Sequence, residues 1–423
     1  MYKKSNYNIF VPYKENKTII YNGLSGAVGI FDDKTLNNFN NDTLSIDEQN
    51  ILLKKGILID ENFDEKQKMF KDRNAGVMQK NDKHFRIWPT SACNAQCYYC
   101  FEKGISCNTM TMETAKDVVK FIDSMLEEND HLEFEWFGGE PLLNIKVIDY
   151  IVEQIRVKCK QKNCNFNGTM ITNGSLITPE IAKKIKNDWN IYSIQITLDG
   201  FGDFYNEVKN YKNSKLFNFD RVIESIKYLS KEGVHVAVRM NYDRKNYSSL
   251  VELINFLHEE MKDYKNISYY VYPVWSSTDE NAVDQFCSET EADLDLLKLM
   301  DLLVKYNMNT ARKIARLNYK VRQCQTWNIN SFAILPNGDI TKCCEVYHQV
   351  IGNIWDGITD KKTYNYWASP DIDDKCETCK YLPICQGGCK ASHFGRMPQC
   401  FAFKPIFDEV LKWYVEQLEK GSK

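Results

Sequence analysis

The sequence predicts an α/β protein built around an incomplete barrel of six strand–helix units, with a small helix-and-strand module before it and a cysteine-rich region after it. Three observations carry this prediction. Between His84 and about Trp275, apolar strand-like runs alternate with amphipathic helical stretches. The first 75 or so residues carry turn and helix-capping signals of their own. The 15 cysteines are uneven: three fall within residues 91–100 and eight lie beyond residue 320.

Composition bounds the function. A chain of 423 residues with 43% apolar content can bury the cores of two or three domains. A formal net charge of −3 provides no basic field to hold nucleic acid or an anionic membrane. The N-terminal stretch MYKKSNYNIFVPYKENK lacks the apolar core of a signal peptide, and no later run reaches about 18 apolar residues; the expectation is a cytoplasmic protein. In such a chain the cysteines point to metal ligation and not to a disulfide scaffold. Cys107, Cys159, Cys164 and Cys287, scattered between the two groups, read as small hydrophobic residues.

Residues 1–75 form the first unit. NIFVPY and TIIYN read as two strands around a Lys/Glu/Asn turn, followed by an apolar turn in GLSGAVGIF. Ser45 and Glu48 make a capping box ahead of QNILLKK, Gly56 ends that helix, and ILI before DENFDE reads as a strand with an acidic tip. Glu65 to Lys83, charged and weakly periodic, reads as a linker. Over residues 84–275, FRIWPT, LEFEWF, GTMIT, YSIQITLD, VHVAVRMNY and ISYYVYPVW predict six strands, separated by helices such as METAKDVVKFIDSML and DRVIESIKYL. Repeated units of this kind build a parallel sheet that curls toward a barrel, with chemistry at the C-terminal strand ends. A helix from about Glu291 to Tyr306 lies in a bridge over 276–319. The cysteine-rich region spans 320–405, and 406–423 reads as a terminal helix.

SACNAQCYYC, residues 91–100, follows the first barrel strand and places Cys93, Cys97 and Cys100 within eight positions, with no fourth strong ligand beside them. A structural zinc wants four closed ligands. The pattern C-x-x-x-C-x-aromatic-C, with Tyr99 as the aromatic residue, resembles the radical S-adenosylmethionine (SAM) superfamily. The resemblance implies a 4Fe-4S cluster on the three thiolates, its fourth iron bound by S-adenosylmethionine, and a 5′-deoxyadenosyl radical that takes hydrogen from an unactivated carbon. It also implies cofactor contacts: Gly138, Gly139 and Glu140 of WFGGEP for the methionine ammonium, Thr172, Asn173 and Ser175 of ITNGS, and Asp199 of QITLDG. Where relatives carry an arginine beyond that Asp-Gly, this sequence has Lys209. Lys209 and Arg239 of VRMNY are therefore the candidate partners of the methionine carboxylate. The sequence identifies no acid or base.

After residue 320 the spacing Cys324, Gly338-x4-Cys343, Cys376-x2-Cys379-x5-Cys385-x3-Cys389, then Cys400, resembles the seven-cysteine SPASM domain. That resemblance implies two auxiliary 4Fe-4S clusters, three clusters in all. Cys324, Cys343 and Cys389 would hold the nearer one, and Cys376, Cys379, Cys385 and Cys400 the farther. The nearer set has only three ligands, so either Cys344 completes it or one iron stays open to an outside thiolate. His393 and Tyr347 read as structural.

The order of elements in residues 1–75 resembles the winged-helix recognition element of enzymes that modify ribosomally made peptides. Without a basic recognition helix, a peptide role fits better than DNA binding. Together the resemblances imply a radical SAM oxidoreductase of SPASM type that modifies a leader-bearing precursor peptide by forming a cysteine thioether crosslink. Flavodoxin or ferredoxin would be the electron donor, with no nucleic-acid or membrane partner. The alternatives are an anaerobic sulfatase-maturing enzyme that makes formylglycine, whose relatives carry Asp where Cys344 stands, and a carbon–carbon crosslinking or epimerising peptide maturase. From a different class, the chain would be an electron carrier or a cluster-stabilised peptide-binding protein without turnover.

Overall fold

Short β-branched strands and capped helices open the chain. A computed structural model describes residues 1–274, 294–321, 324–395 and 399–421. First come β1 (Tyr2–Lys4), β2 (Asn8–Pro12), β3 (Lys17–Asn22), β4 (Val28–Asp32), α1 (Asp33–Asn40), α2 (Ile46–Lys54) and β5 (Leu58–Asp60). β2, β3 and β4 form an antiparallel sheet in that order, and β1 pairs with β5. Side chains alternate across this sheet. Ile20 and Phe31 pack on Phe39 of α1 and Leu52 of α2, while Ile9, Val11, Ile19 and Tyr21 join the main core. The Ser45–Glu48 capping box starts α2, and Gly56, at φ +70°, ends it.

Two expectations for this region are corrected. GLSGAVGIF is only partly a turn; its second half is β4, a strand at the rim of the sheet. Glu65 to Lys83 is not a linker, because Asp64 caps α3 (Glu65–Val77), which buries Glu65, Met69, Arg73 and Val77 along one face. Two of those four residues are charged, which hides the stripe from a hydrophobicity reading. The Glu65 carboxylate accepts from Ser5 Oγ (2.5 Å) and the Asn6 amide (2.8 Å). Arg73 donates to the carbonyls of Pro370, Asp371 (3.0 Å) and Gln386 (2.5 Å), with its guanidinium 4.1 Å from the Trp327 ring centre. This helix bolts the N-terminal unit to the cysteine-rich region.

The central sheet follows: β6 (Asp82–Ile87), α4 (Met112–Met125), β7 (His131–Trp136), α5 (Ile145–Gln161), β8 (Asn165–Thr172), α6 (Pro179–Asn187), β9 (Ile191–Thr197), α7 (Gly202–Lys209), α8 (Phe219–Lys231), β10 (His235–Tyr242), α9 (Tyr247–Glu260) and β11 (Ile267–Pro273). β6 to β11 are parallel and adjacent in chain order, as the six strand runs predict. Phe85, Phe134, Met170, Ile194, Val238 and Val271 enter the common core. The intervening positions put Arg86, Glu135, Thr169, Gln195, Arg239 and Tyr270 on the other face. The separate short helix α7 was not foreseen.

α10 (Leu294–Lys305) and α11 (Ala311–Ala315) lead to β12 (Ser331–Ile334), β13 (Asp339–Thr341), β14 (Gly352–Asn353) and β15 (Gly357–Ile358). β12 pairs parallel to β6, so the cysteine-rich region extends the central sheet to ten strands and no barrel closes. α12 (Lys361–Trp367), α13 (Asp374–Glu377), α14 (Leu382–Cys385) and α15 (Phe407–Glu419) complete the chain. Trp275, Cys287 and the start of the helix expected from Glu291 lie outside the described residues. Among the described residues no helix is long and apolar enough to cross a membrane.

Candidate active site

Beyond β6 the chain turns into the loop carrying Cys93, Cys97 and Cys100, all partly buried. Burial, then Glu140, pushes the Cys93 thiol up to about 11; burial, then Glu102, pushes Cys100 up to about 12. Cys97 adds to the rise in both cases, so the three thiols share one site. Gly138 has φ +111°, and a Cβ there would lie 2.4 Å from the Thr90 carbonyl oxygen; a Cβ on Gly139 would lie 2.3 Å from that of Ala92. The amides of Gly139 and Glu140 donate to those same carbonyls at 3.1 and 2.8 Å. The two glycines therefore let the loop after β7 touch the backbone of the cysteine loop.

Glu140 is fully buried. It accepts from Thr172 Oγ1 (2.7 Å), the Asn173 amide (2.8 Å) and the Leu142 amide (3.2 Å). Burial outweighs these donors and pushes its carboxyl up to about 7. Asn173 Nδ2 donates to Asn94 Oδ1 (2.8 Å), and Asn94 Nδ2 to Ser175 Oγ (2.9 Å). Lys212 Nζ donates to the Cys93 carbonyl at 2.8 Å. Asn94 and Lys212 escaped the sequence reading. Asn94 had one signal, its place inside the cysteine run; Lys212 had none.

Asp199 accepts from Tyr99 Oη (2.9 Å), Asn241 Nδ2 (2.9 Å) and Lys209 Nζ (2.8 Å). Burial opposes the Lys209 charge, but Asp199, with Cys97 and Tyr99, holds its pKa well above the ordinary value. Lys209 is thus engaged in a buried ion pair with Asp199. Arg239 is different: its Nε donates to Asn241 Oδ1 (2.8 Å), its guanidinium lies 4.7 Å from the Tyr272 ring centre, and no carboxylate pairs with it among the described residues.

The late cysteines fall into two groups. Cys376, raised by burial and then by Asp373, Cys379 and Cys400, shares a site with Cys385, which burial and then Cys400, Cys376 and Cys379 push up to about 11. Lys404 Nζ donates to Cys400 Sγ at 3.1 Å. In the second group Cys389 is pushed up to about 11 by burial and then by Cys324, while Cys343 packs in one small core with Cys389, Val346, Trp367 and Ala391. Cys344 is buried beside Cys343, and its Sγ accepts from Arg86 Nη1 at 3.2 Å. Arg86 is fixed in turn by Glu135 at 2.7 and 2.9 Å. His393 pairs with Asp373 (3.3 Å) and Tyr347 packs near Trp88 (6.4 Å between ring centres), in keeping with structural roles.

No three His, Cys, Asp or Glu side chains among the described residues converge tightly enough for a single metal ion. The donor sets instead suit a larger thiolate-bound group. A cradle of glycine backbone lies against the first cysteine loop, and each later group gathers all-sulfur donors.

An open parallel sheet thus carries a three-cysteine loop after its first strand. Residues 87–257 match the family model of the Radical SAM superfamily, and this stretch is a radical SAM domain homologous to anaerobic sulfatase-maturating enzymes. An uncharacterized protein of Methanocaldococcus jannaschii is 30% identical over 41% of this chain, and the chain spans 58% of that relative's length. A cysteine-type anaerobic sulfatase-maturating enzyme of Clostridium novyi is 23% identical over 76% of this chain and 92% of its own. The radical SAM cyclopropyl synthase TigE of Paramaledivibacter caminithermalis is 21% identical over 73% and 67%. Among solved structures, native anSMEcpe with bound AdoMet and Cp18Cys peptide shares the fold at TM-score 0.60, with 19% identity, over 80% of this chain and 97% of its own. Streptococcus suis SuiB bound to precursor peptide SuiA does so at TM-score 0.50, with 17% identity, over 95% and 98%.

Proposed function

We propose that the chain is a SPASM-type radical SAM maturase that installs a cysteine thioether crosslink in a leader-bearing precursor peptide, in the cytoplasm, with flavodoxin or ferredoxin as donor. The observation that carries the reading is the N-terminal sheet, whose rim strand β4 pairs with β3 on one side and with no strand on the other among the described residues, and whose unit is fixed by α3 to the cysteine-rich region. An extended peptide can add a strand to such a rim. The fold match to SuiB, bound to its precursor peptide, reaches 95% of the chain, against 80% for anSMEcpe.

In this reading Cys93, Cys97 and Cys100 hold the radical-generating cluster. Arg239, free of any carboxylate partner among the described residues, meets the methionine carboxylate, while Asp199, Lys209, Glu140, Thr172, Asn173 and Ser175 set the surrounding loops. The bound cluster and S-adenosylmethionine supply the hydrogen-abstracting radical. Cys376, Cys379, Cys385 and Cys400 hold the farther auxiliary cluster, and Cys324, Cys343 and Cys389 the nearer. Cys344, whose Sγ accepts from Arg86, would either complete the nearer cluster's ligands or leave one iron open to a substrate thiolate.

The second reading, a sulfatase-maturating enzyme, is favoured by the 23% identity across 92% of such a relative. Anaerobic incubation with candidate precursors encoded beside the gene, and separately with a sulfatase peptide, decides between them. A precursor that loses two hydrogens together with its alkylatable thiol is the expected result. Aldehyde on the sulfatase peptide alone overturns the proposal.

A further inference from the structure

Two arginines meet over tyrosine at one edge of the central sheet. β11 ends that sheet among the described residues. The register pairs Arg239 with Tyr270 and Asn241 with Tyr272, so all four stand on the face away from the common core. Arg316, just after α11, reaches the same place: its guanidinium lies 5.3 Å from the Tyr272 ring centre and 5.9 Å from that of Tyr270, while the Arg239 guanidinium lies 4.7 Å from Tyr272. Tyr270 is fixed in turn, its Oη donating to Gln195 Oε1 at 2.6 Å.

Arg316 has φ +52°, a left-handed backbone that favours glycine or asparagine. Among the described residues every other non-glycine residue at positive φ is Asn or Asp, except Gln386. The turn alone therefore gives no reason for an arginine; the guanidinium does. Two guanidiniums beside one ring repel each other, and no carboxylate pairs with either among the described residues. Asp199, beyond β9, and Glu135, on β7, are taken by Lys209 (2.8 Å) and Arg86 (2.7 Å). A tyrosine face attracts a cation weakly, whereas a carboxylate accepts two parallel guanidinium N–H bonds. Arg316 is exposed, so a ligand can reach it. The edge also adjoins the cofactor loops, because Arg239 Nε donates to Asn241 Oδ1 (2.8 Å) and Asn241 Nδ2 to Asp199 (2.9 Å).

We propose that Arg316, stacked on Tyr270 and Tyr272 at the open edge of the sheet, holds a carboxylate of the substrate peptide, side-chain or C-terminal, and so sets which residue is presented to the radical. This rests on the peptide-maturase reading above, in which Arg239 meets the methionine carboxylate and Arg316 is left for the substrate's own.

The test uses the full chain, reconstituted anaerobically, and the precursor encoded beside the gene, with turnover read by mass spectrometry. Arg316→Asn suits the left-handed backbone and removes the guanidinium. It should lower kcat/KM about tenfold at unchanged iron content and Tm, and Arg316→Lys should recover part of the loss. Each Asp or Glu of the precursor beyond its leader is then changed to Asn or Gln, and the C-terminal carboxylate to the amide. One of these changes should cost the wild-type enzyme the same factor and cost Arg316→Asn nothing further, which a merely structural arginine would not produce. The change that behaves so distinguishes a side-chain from a C-terminal carboxylate. Wild-type kcat/KM in Arg316→Asn, or losses that multiply for every carboxylate, overturns the inference and leaves the maturase reading standing. A precursor left unmodified by the wild-type chain, with 5′-deoxyadenosine still formed, overturns the maturase reading and this inference with it.

Discussion

Asp199 and Lys209 show what a single residue's surroundings decide. The sequence supplies both residues, one at a strand end and one in an arginine's place, but not their pairing, because 2.8 Å between two buried groups is a property of packing. Asp199→Asn should leave Lys209 as an uncompensated buried cation and cost about 3–5 kcal/mol. Adding Lys209→Met should recover part of that loss, read by thermal unfolding of the loaded protein. Glu140 gives a pH signature of the opposite kind. Burial raises its folded pKa from 4.5 to about 7, so the folded state holds the proton more tightly than the unfolded chain. Its contribution to stability is full below about pH 4.5 and is lost as pH rises through 7. Glu140→Gln should flatten that part of the stability profile, measured as the Tm difference between pH 5 and pH 7.5. A variant with the wild-type slope would place the titration elsewhere. The cysteine spacing, by contrast, is legible at this scale, since it is written in the chain itself.

At the scale of elements, long periodic segments and capped helices announced themselves, and exceptions had physical causes. α3 escaped because its buried face uses Glu65 and Arg73, each satisfied by distant backbone groups that no local pattern reveals. β12 escaped as an extension of the central sheet because its partner β6 lies some 250 residues earlier. The glycine pair of WFGGEP was legible as a close approach, but the sequence named a cofactor where the structure also places the cysteine loop. That gives an element-level prediction. Gly139→Ala puts a Cβ against the Ala92 carbonyl, so the loop must move. With the three clusters proposed above, iron should fall by the share of the first, about four of about twelve per chain, while the SAM-insensitive EPR signals of the other two persist. Loss of all iron together would mean that the first loop and the late cysteines fold as one unit.

For the whole molecule the question is how the N-terminal unit and the site communicate, and removing residues 1–75 is the wrong test. It would delete α3, strip Arg73 from the Pro370, Asp371 and Gln386 carbonyls, and uncover Leu382, which packs with Tyr7 and Met69. The buried Gln386 carbonyl alone, left unpaired, would cost roughly 1–3 kcal/mol, so a dead truncation would report damage to the cysteine-rich region and not lost recognition. Ile30 offers a cleaner probe. It sits on the rim strand β4, is 41% exposed, and lies outside both the α1–α2 core and the α3 contacts. Ile30→Asp should leave the fold and the uncoupled formation of 5′-deoxyadenosine unchanged, because Ile30 is exposed and belongs to no core cluster of the described residues. A leader that adds a strand to this rim would lay its backbone beside the new carboxylate, and its affinity should fall about tenfold, ~1.4 kcal/mol. Fluorescence anisotropy with a labelled precursor measures this directly. Unchanged affinity with intact cofactor cleavage would move peptide recognition off the N-terminal sheet and leave the open side of the central sheet as the place where substrate is chosen.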